Sequence, residues 1–165
     1  MVARSPRGFE SLTRQMRGHA ADRRYLALAV GIVEPRQGTI DAPIGRSARR
    51  PDRMAVRASG RPARTSYEVR TWYHTPVAVT LLEAALDTGR THQVRVHLAA
   101  LRHPVVGDDR YGGALARPAA LVSMLGAGRV FLHAWKLAVD HPDGRRLSWE
   151  SPVPADLGAV LESLA

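Results

Sequence analysis

Between Val77 and Arg102 the apolar residues change their spacing once, and that switch limits what the chain can build. Val77, Val79 and Leu81 alternate with small or polar residues, and Leu82, Ala84 and Leu86 form the opposite alternating set, the pattern of a strand. Past Thr88-Gly89-Arg90, Val94, Leu98 and Leu101 recur at intervals of four and three. That spacing gives a helix one apolar stripe and groups Arg95, Ala99 and Arg102 on another face. Thr91 is placed to cap this helix, which is expected to start near His92. A strand that passes through a glycine turn into a cationic helix aims the free N–H groups of the helix start, with Arg90 beside them, at an anionic oxygen such as a phosphate.

The flanking segments supply a sheet. Ser5-Pro6 starts a helix with Phe9, Leu12 and Met16 on one face and Gly18 at its end. Arg23 to Val30 alternates as a strand closed by Gly31, and Glu34 to Gly45 reads as turns around a short extended piece. Thr65 to Thr71 and Ala78 to Leu86 are expected to pair as an antiparallel hairpin about Thr75-Pro76. His103 to Asp109 reads as a short strand bounded by turns, and Ala114 to Leu125 as a helix interrupted at Pro118. Val130 to Val139 and Arg146 to Glu150 are joined by the hairpin sequence His141-Pro-Asp-Gly, and Asp156 to Ala165 closes the chain as a helix. Strands outnumber helices and are linked by short connections. The expected class is α+β, a mixed, largely antiparallel sheet flanked by helices, in one domain over residues 1–165. Trp72, Trp135 and Trp149 fall in strands, where packing into the core is the commoner role.

Charge selects the class of partner. With 24 basic and 15 acidic residues the net charge is +9, which draws the protein to polyanions, RNA or DNA ahead of an acidic protein. Lys136 is the single lysine, and arginine's planar fork suits two-point contacts with phosphate. The segment Arg46 to Arg64 holds seven arginines against Asp52 alone and is expected to be a mobile arm that wraps a polyanion, with Arg46, Arg49 and Arg50 as RNA contacts. No helix-turn-helix or zinc-finger pattern points to duplex DNA. The chain has no cysteine, which removes disulfides and thiolate metal sites and fits a reducing cytoplasm. His92 and His97 are five apart and face different ways on a helix, so no metal site is expected. No stretch approaches the roughly 18 consecutive apolar residues of a membrane span. Asp108 follows a glycine and reads as the organiser of a turn.

Five blocks stand in a recognisable order: Val2-Ala-Arg-Ser-Pro, Arg24-Tyr-Leu-Ala-Leu, Ile40-Asp-Ala-Pro-Ile-Gly-Arg, the stretch from Thr88 to Gly112, and Phe131-Leu-His-Ala-Trp-Lys-Leu followed by His141-Pro-Asp-Gly. Together they resemble the RluA-type pseudouridine synthases of the RluA/RsuA superfamily over nearly the whole chain. The resemblance implies an isomerase that breaks the C1′–N1 bond of a uridine in ribosomal or transfer RNA, turns the base and rejoins it through C5. It implies no metal or organic cofactor; a monomer in the cytoplasm is expected apart from the resemblance. On this likeness Tyr25 stacks on the target base and removes the C5 proton, and Arg95 pairs with the catalytic carboxylate and keeps it ionised. Arg90 and His92 would contact backbone phosphate or support those that do, and Val96 and Leu132 would wall the uracil. Asp108 and Tyr111 fall on the family's Gly-Asp-x-x-Tyr turn.

In that family the nucleophilic aspartate belongs to a His-Arg-Leu-Asp segment ahead of the Val-Ala-Arg-Ser-Pro block, whereas this sequence begins at Met1-Val2-Ala3. Two expectations follow. Either the sequence is the C-terminal portion of a longer catalytic domain, or it is a non-catalytic RNA-binding remnant; no separate S4-type RNA-binding domain is visible in it. Taken alone the 165 residues are expected to fold poorly, with an open sheet edge and Arg95 short of its carboxylate.

Overall fold

The computed structural model describes residues 2–18 and 20–165. In chain order these form α1 (Pro6–Arg17), β1 (Asp22–Val30), β2 (Gln37–Asp41), β3 (Ile44–Arg46), β4 (Met54–Val56), β5 (Arg64–Tyr73), β6 (Val79–Leu86) and α2 (Gln93–Ala100). A short 3-10 turn at Gly113–Ala116 follows, then α3 (Ala119–Val122), β7 (Leu132–Asp140), β8 (Arg146–Glu150) and α4 (Ala155–Glu162). Six strands make one sheet in the order β2-β5-β6-β1-β7-β8, while β3 and β4 pair separately. Every ladder between named strands is antiparallel, which agrees with the α+β, largely antiparallel class read from the sequence.

Register decides which residues share a face. Tyr25 stands opposite Ala84 on one side and Ala134 on the other, Ala84 stands opposite Tyr67, and Tyr67 opposite Gly38. Residues directly opposite one another point to the same side, so one row across five strands alternates small and large. A Cβ on Gly38 would lie 2.6 Å from the Tyr67 hydroxyl oxygen, so this glycine makes room for the ring. Thr65, Tyr67 and Val69 are buried on this face of β5, with Leu82, Ala84 and Leu86 beside them on β6. Helix α2 covers it, because Gln93 and His97 both hydrogen-bond the Thr65 hydroxyl and Val94 and Leu98 join the main core.

The opposite face carries Arg24, Glu83, Ser66 and Glu68. It buries one charge among these: Glu83, whose side chain is 3% exposed, accepts from Arg24 at 2.7 Å and from Arg70.

Several expectations give way to tertiary contacts. The arginine-rich segment 46–64 is not a loose arm along its length, because β3 and β4 zip it into a hairpin. Ile44, Ala63 and Val96 form a small second core beneath that hairpin, with Met54 and Tyr111 packed on it. Thr91 does not cap α2; His92 holds the cap position in the left-handed region (φ 57°) without a side-chain cap bond. His103–Asp109 is a turn that touches β1 through one bridge, Ala29 to Val105, rather than a strand. The apolar stripe of α1 is left outside, with Phe9 64% exposed; the residue α1 buries is Gln15, whose amide both donates to and accepts from the Asp140 backbone. Trp149 lies on the outer strand β8 and is half exposed rather than packed in the core. The sheet's free edges are β2 and β8, and β1 lies inside it. No helix among the described residues is long and apolar enough to cross a membrane.

Candidate active site

The turn from β6 into α2 is held shut by its own side chains. The Gln93 carbonyl oxygen accepts from the Thr88 hydroxyl at 2.7 Å and from the Arg90 N–H at 3.0 Å. Its amide nitrogen donates to the Arg64 carbonyl and the Thr65 hydroxyl. Thr88 in turn accepts from the Arg64 N–H. His97 extends the network: its Nε2 faces the Ala42 carbonyl, which can only accept, so Nε2 carries the hydrogen and Nδ1 accepts from Thr65. Burial pushes the His97 pKa down, against the raising influence of Ala42 and Asp41, so the ring stays neutral. Every hydrogen-bonding group of Gln93 is used, which fixes the turn's shape. The Arg90 N–H is therefore closed by Gln93 rather than left open for a phosphate, and Arg90 Nε is given to the Pro62 carbonyl.

One turn further, Arg95 lies against Asp108. Nε and Nη2 each donate to one carboxylate oxygen at 2.7 Å, a two-point pair with the arginine side chain 18% exposed and the aspartate fully buried. That hydrogen-bonded pairing raises the Arg95 pKa against the effect of burial. Among the described residues Nη1 makes no hydrogen bond. Asp108 also accepts the Tyr111 N–H, and the Tyr111 ring lies 5.0 Å beneath the Arg95 guanidinium. The Tyr111 hydroxyl meets His92 Nδ1 at 2.7 Å and accepts from the Met54 N–H, tying the site to β4. Burial, followed by the charges of Arg95 and Arg110, keeps the His92 pKa below its ordinary value. Arg95 is thus not short of a carboxylate: the structure supplies Asp108.

Helix α2, which carries Arg95, covers the sheet face on which Tyr25 stands. The segment carrying Asp108 runs along β1, with Val106 N–H donating to the Leu28 carbonyl and Phe131 N–H to the Val106 carbonyl. Leu132 starts β7 opposite Ala27, two residues along β1 from Tyr25 and on the same face. Of the small residues flanking Tyr25, Ala84 is buried and Ala134 exposed. The ring therefore stands at the margin of the core, backed by protein on the β6 side and open on the β7 side, with half-buried Leu132 next to it.

The other residues expected in the site divide. Val96 is buried in the second core under the β3–β4 hairpin and walls that cluster, not an open pocket. Arg46 donates to the Pro51 carbonyl, and Arg49 and Arg50 are exposed at the hairpin tip. The loop beside them is pinned where it enters β4, since Arg53 donates to the Arg110 carbonyl and Arg110 to the Asp52 carbonyl. Among the described residues no cluster of His, Asp or Glu could hold a metal ion. The Thr65–Gln93–Thr88 latch went unseen in the sequence. Thr88 and Gln93 straddling a glycine turn were its local signal, but Thr65 is remote in the chain and only the fold brings it in.

The site residues thus comprise a tyrosine at the margin of the face that α2 covers and, on α2, an arginine clamped by a buried aspartate. The family model for RNA pseudouridylate synthase matches residues 1–100, and the chain belongs to that family. It is 42% identical to ribosomal large subunit pseudouridine synthase D of Nitrosomonas europaea over 99% of this chain and 47% of that protein. It is 46% identical to an uncharacterised RNA pseudouridine synthase of Mycobacterium tuberculosis over 99% of this chain and 51% of that protein. The chain thus spans about half the length of the curated relatives it matches. Human RNA pseudouridylate synthase domain containing 1 superposes with a TM-score of 0.78 at 30% identity, covering 96% of this chain and 66% of the human one.

Proposed function

We propose that these 165 residues are the C-terminal portion of the catalytic domain of an enzyme that isomerises uridine to pseudouridine in RNA. Ribosomal RNA is the substrate class favoured by the names of its relatives, with transfer RNA the alternative. The observation that carries this reading is Tyr25 at the margin of the face that α2 covers, together with Arg95 on α2 held in place by the buried Asp108. Tyr25 stacks on the uracil and takes the C5 proton, and Leu132 closes the apolar side of the base. Arg95 offers Nη1 to the nucleophilic carboxylate while Asp108 holds its other two nitrogens. Asp108 is the positioning residue and not the nucleophile, because it is fully buried and both of its oxygens are occupied by Arg95. The nucleophile is an aspartate from outside these residues. Arg90, His92, Arg46, Arg49 and Arg50 serve the RNA backbone. The protein works as a monomer in the cytoplasm.

Tritium release from RNA labelled at uracil C5, measured on the whole protein, is the test. Release is expected from the unaltered protein, and Tyr25→Phe, which keeps the stacking ring but lacks the hydroxyl, is expected to lower its rate by about 100-fold or more while RNA affinity holds. RNA affinity without any tritium release from the unaltered protein would favour the non-catalytic binder instead.

A further inference from the structure

We propose that a concavity beside the Thr88-Gly89-Arg90 turn, walled by Arg17, Arg23, Arg61 and Arg90, is a phosphate cradle that grips the RNA backbone next to the target nucleotide. The inference rests on the RNA-modification reading above and adds a binding site to it. Four separate pieces of the chain bring the cations together: the end of α1, the start of β1, the loop before β5, and the turn into α2. With Met16 and Gly89 they enclose a cavity of about 420 Å³, within the size range of ligand sites.

The cradle's charge is uncompensated. Among the described residues none of these four arginines makes an ion pair. Arg23 gives Nη2 to the Leu86 carbonyl at 3.3 Å, and its buried Nε has no partner among the described residues. Arg90 is oriented by the Pro62 carbonyl, and burial together with the neighbouring Arg61 charge pushes its pKa down, as crowding of cations without a counter-charge should. Gly89 is what allows the approach: a Cβ there would sit 2.5 Å from Arg23 Nη1. Guanidinium forks arranged around one hollow match phosphodiester oxygens, which would relieve the mutual repulsion.

Its position suits the chemistry. Arg23 and Tyr25 are two residues apart on one face of β1, roughly 6.6 Å along the strand. A nucleotide swung out to meet Tyr25 stays tethered by the phosphates on either side of it, and the cradle lies where one of these would fall.

The test uses the whole protein and a single-stranded, uridine-containing RNA. The slope of log affinity against log salt is expected to fall in magnitude by about 1.4 in the Arg17→Gln/Arg61→Gln double variant, since each single-strand phosphate contact contributes about 0.7. Arg17→Lys/Arg61→Lys should recover most of the slope. Arg145→Gln, which removes an exposed arginine already paired with Asp143, should leave it unchanged. Inorganic pyrophosphate should raise the melting temperature of the unaltered protein, a readout that does not depend on the double variant folding well. An unchanged slope with RNA binding intact, or no response to pyrophosphate, overturns the cradle and leaves the RNA reading standing. Failure of the unaltered protein to bind RNA overturns both.

Discussion

Arg23 and Arg24 are neighbours in the sequence and opposite in fate. Arg24 points to the face where Glu83 waits, and together with Arg70 it is locked onto that buried carboxylate. Arg23 points to the α2 side, where it finds a carbonyl and other arginines but no carboxylate. A strand alternates its side chains, so one step along β1 separates a charge spent on holding the sheet from a charge left for a ligand. Net charge of +9 does not by itself distinguish the faces; the pairing pattern does, and the proposed phosphate cradle rests on it.

If that division is right, closed pairs should cost stability when broken and open arginines should not. The largest loss is expected for Asp108→Ala, which strands Arg95 largely buried and removes the acceptor of the Tyr111 N–H: about 3–5 kcal/mol in urea unfolding. Gln93→Ala deletes the hub of the turn, taking the acceptor from the Thr88 hydroxyl and the Arg90 N–H and a donor from the Arg64 carbonyl and the Thr65 hydroxyl. About 2–3 kcal/mol is expected by the same measurement.

Glu83→Gln should cost less, about 1–2 kcal/mol at pH 7, because Arg24 and Arg70 are exposed enough to rehydrate. Its pH dependence separates charge from packing. Burial pushes the Glu83 carboxyl up, but the hydrogen bonds from Arg24 and Arg70 outweigh it and leave the pKa below the ordinary 4.5. The stabilisation is therefore present above pH 4.5 and is lost as pH falls through the lower folded value. The gap between the unaltered protein and Glu83→Gln should narrow as pH drops below that point in thermal melts. The smallest effect belongs to Arg61→Gln, expected within about 0.5 kcal/mol of the unaltered protein. A loss comparable to that of Asp108→Ala would mean that the cradle is structural.

The same contrast explains what the sequence could disclose. Period-two alternation in Arg23 to Val30 and in Ala78 to Leu86, and the His141-Pro-Asp-Gly hairpin, depend on local spacing, and those strands stand where they were expected. The motif order was also legible, and with it the family. Pairings between remote residues were not. Arg95 was expected to lack its carboxylate, and only the fold shows Asp108, 13 residues on, paired with it. The arginine run from 46 to 64 looked mobile because composition does not reveal that Ile44, Ala63 and Val96 close a second core beneath it. Val96 was expected as a pocket wall from the family likeness alone, which did not show that the β3–β4 hairpin covers it.

Photocrosslinking offers the most direct test that the α2-covered face receives the RNA. With 4-thiouridine in the RNA and the whole protein, crosslinks are expected at Tyr25, Leu132 and the Gly89–Arg90 turn. Crosslinks confined to Ser66, Glu68 and Arg24 on the opposite face would contradict the account.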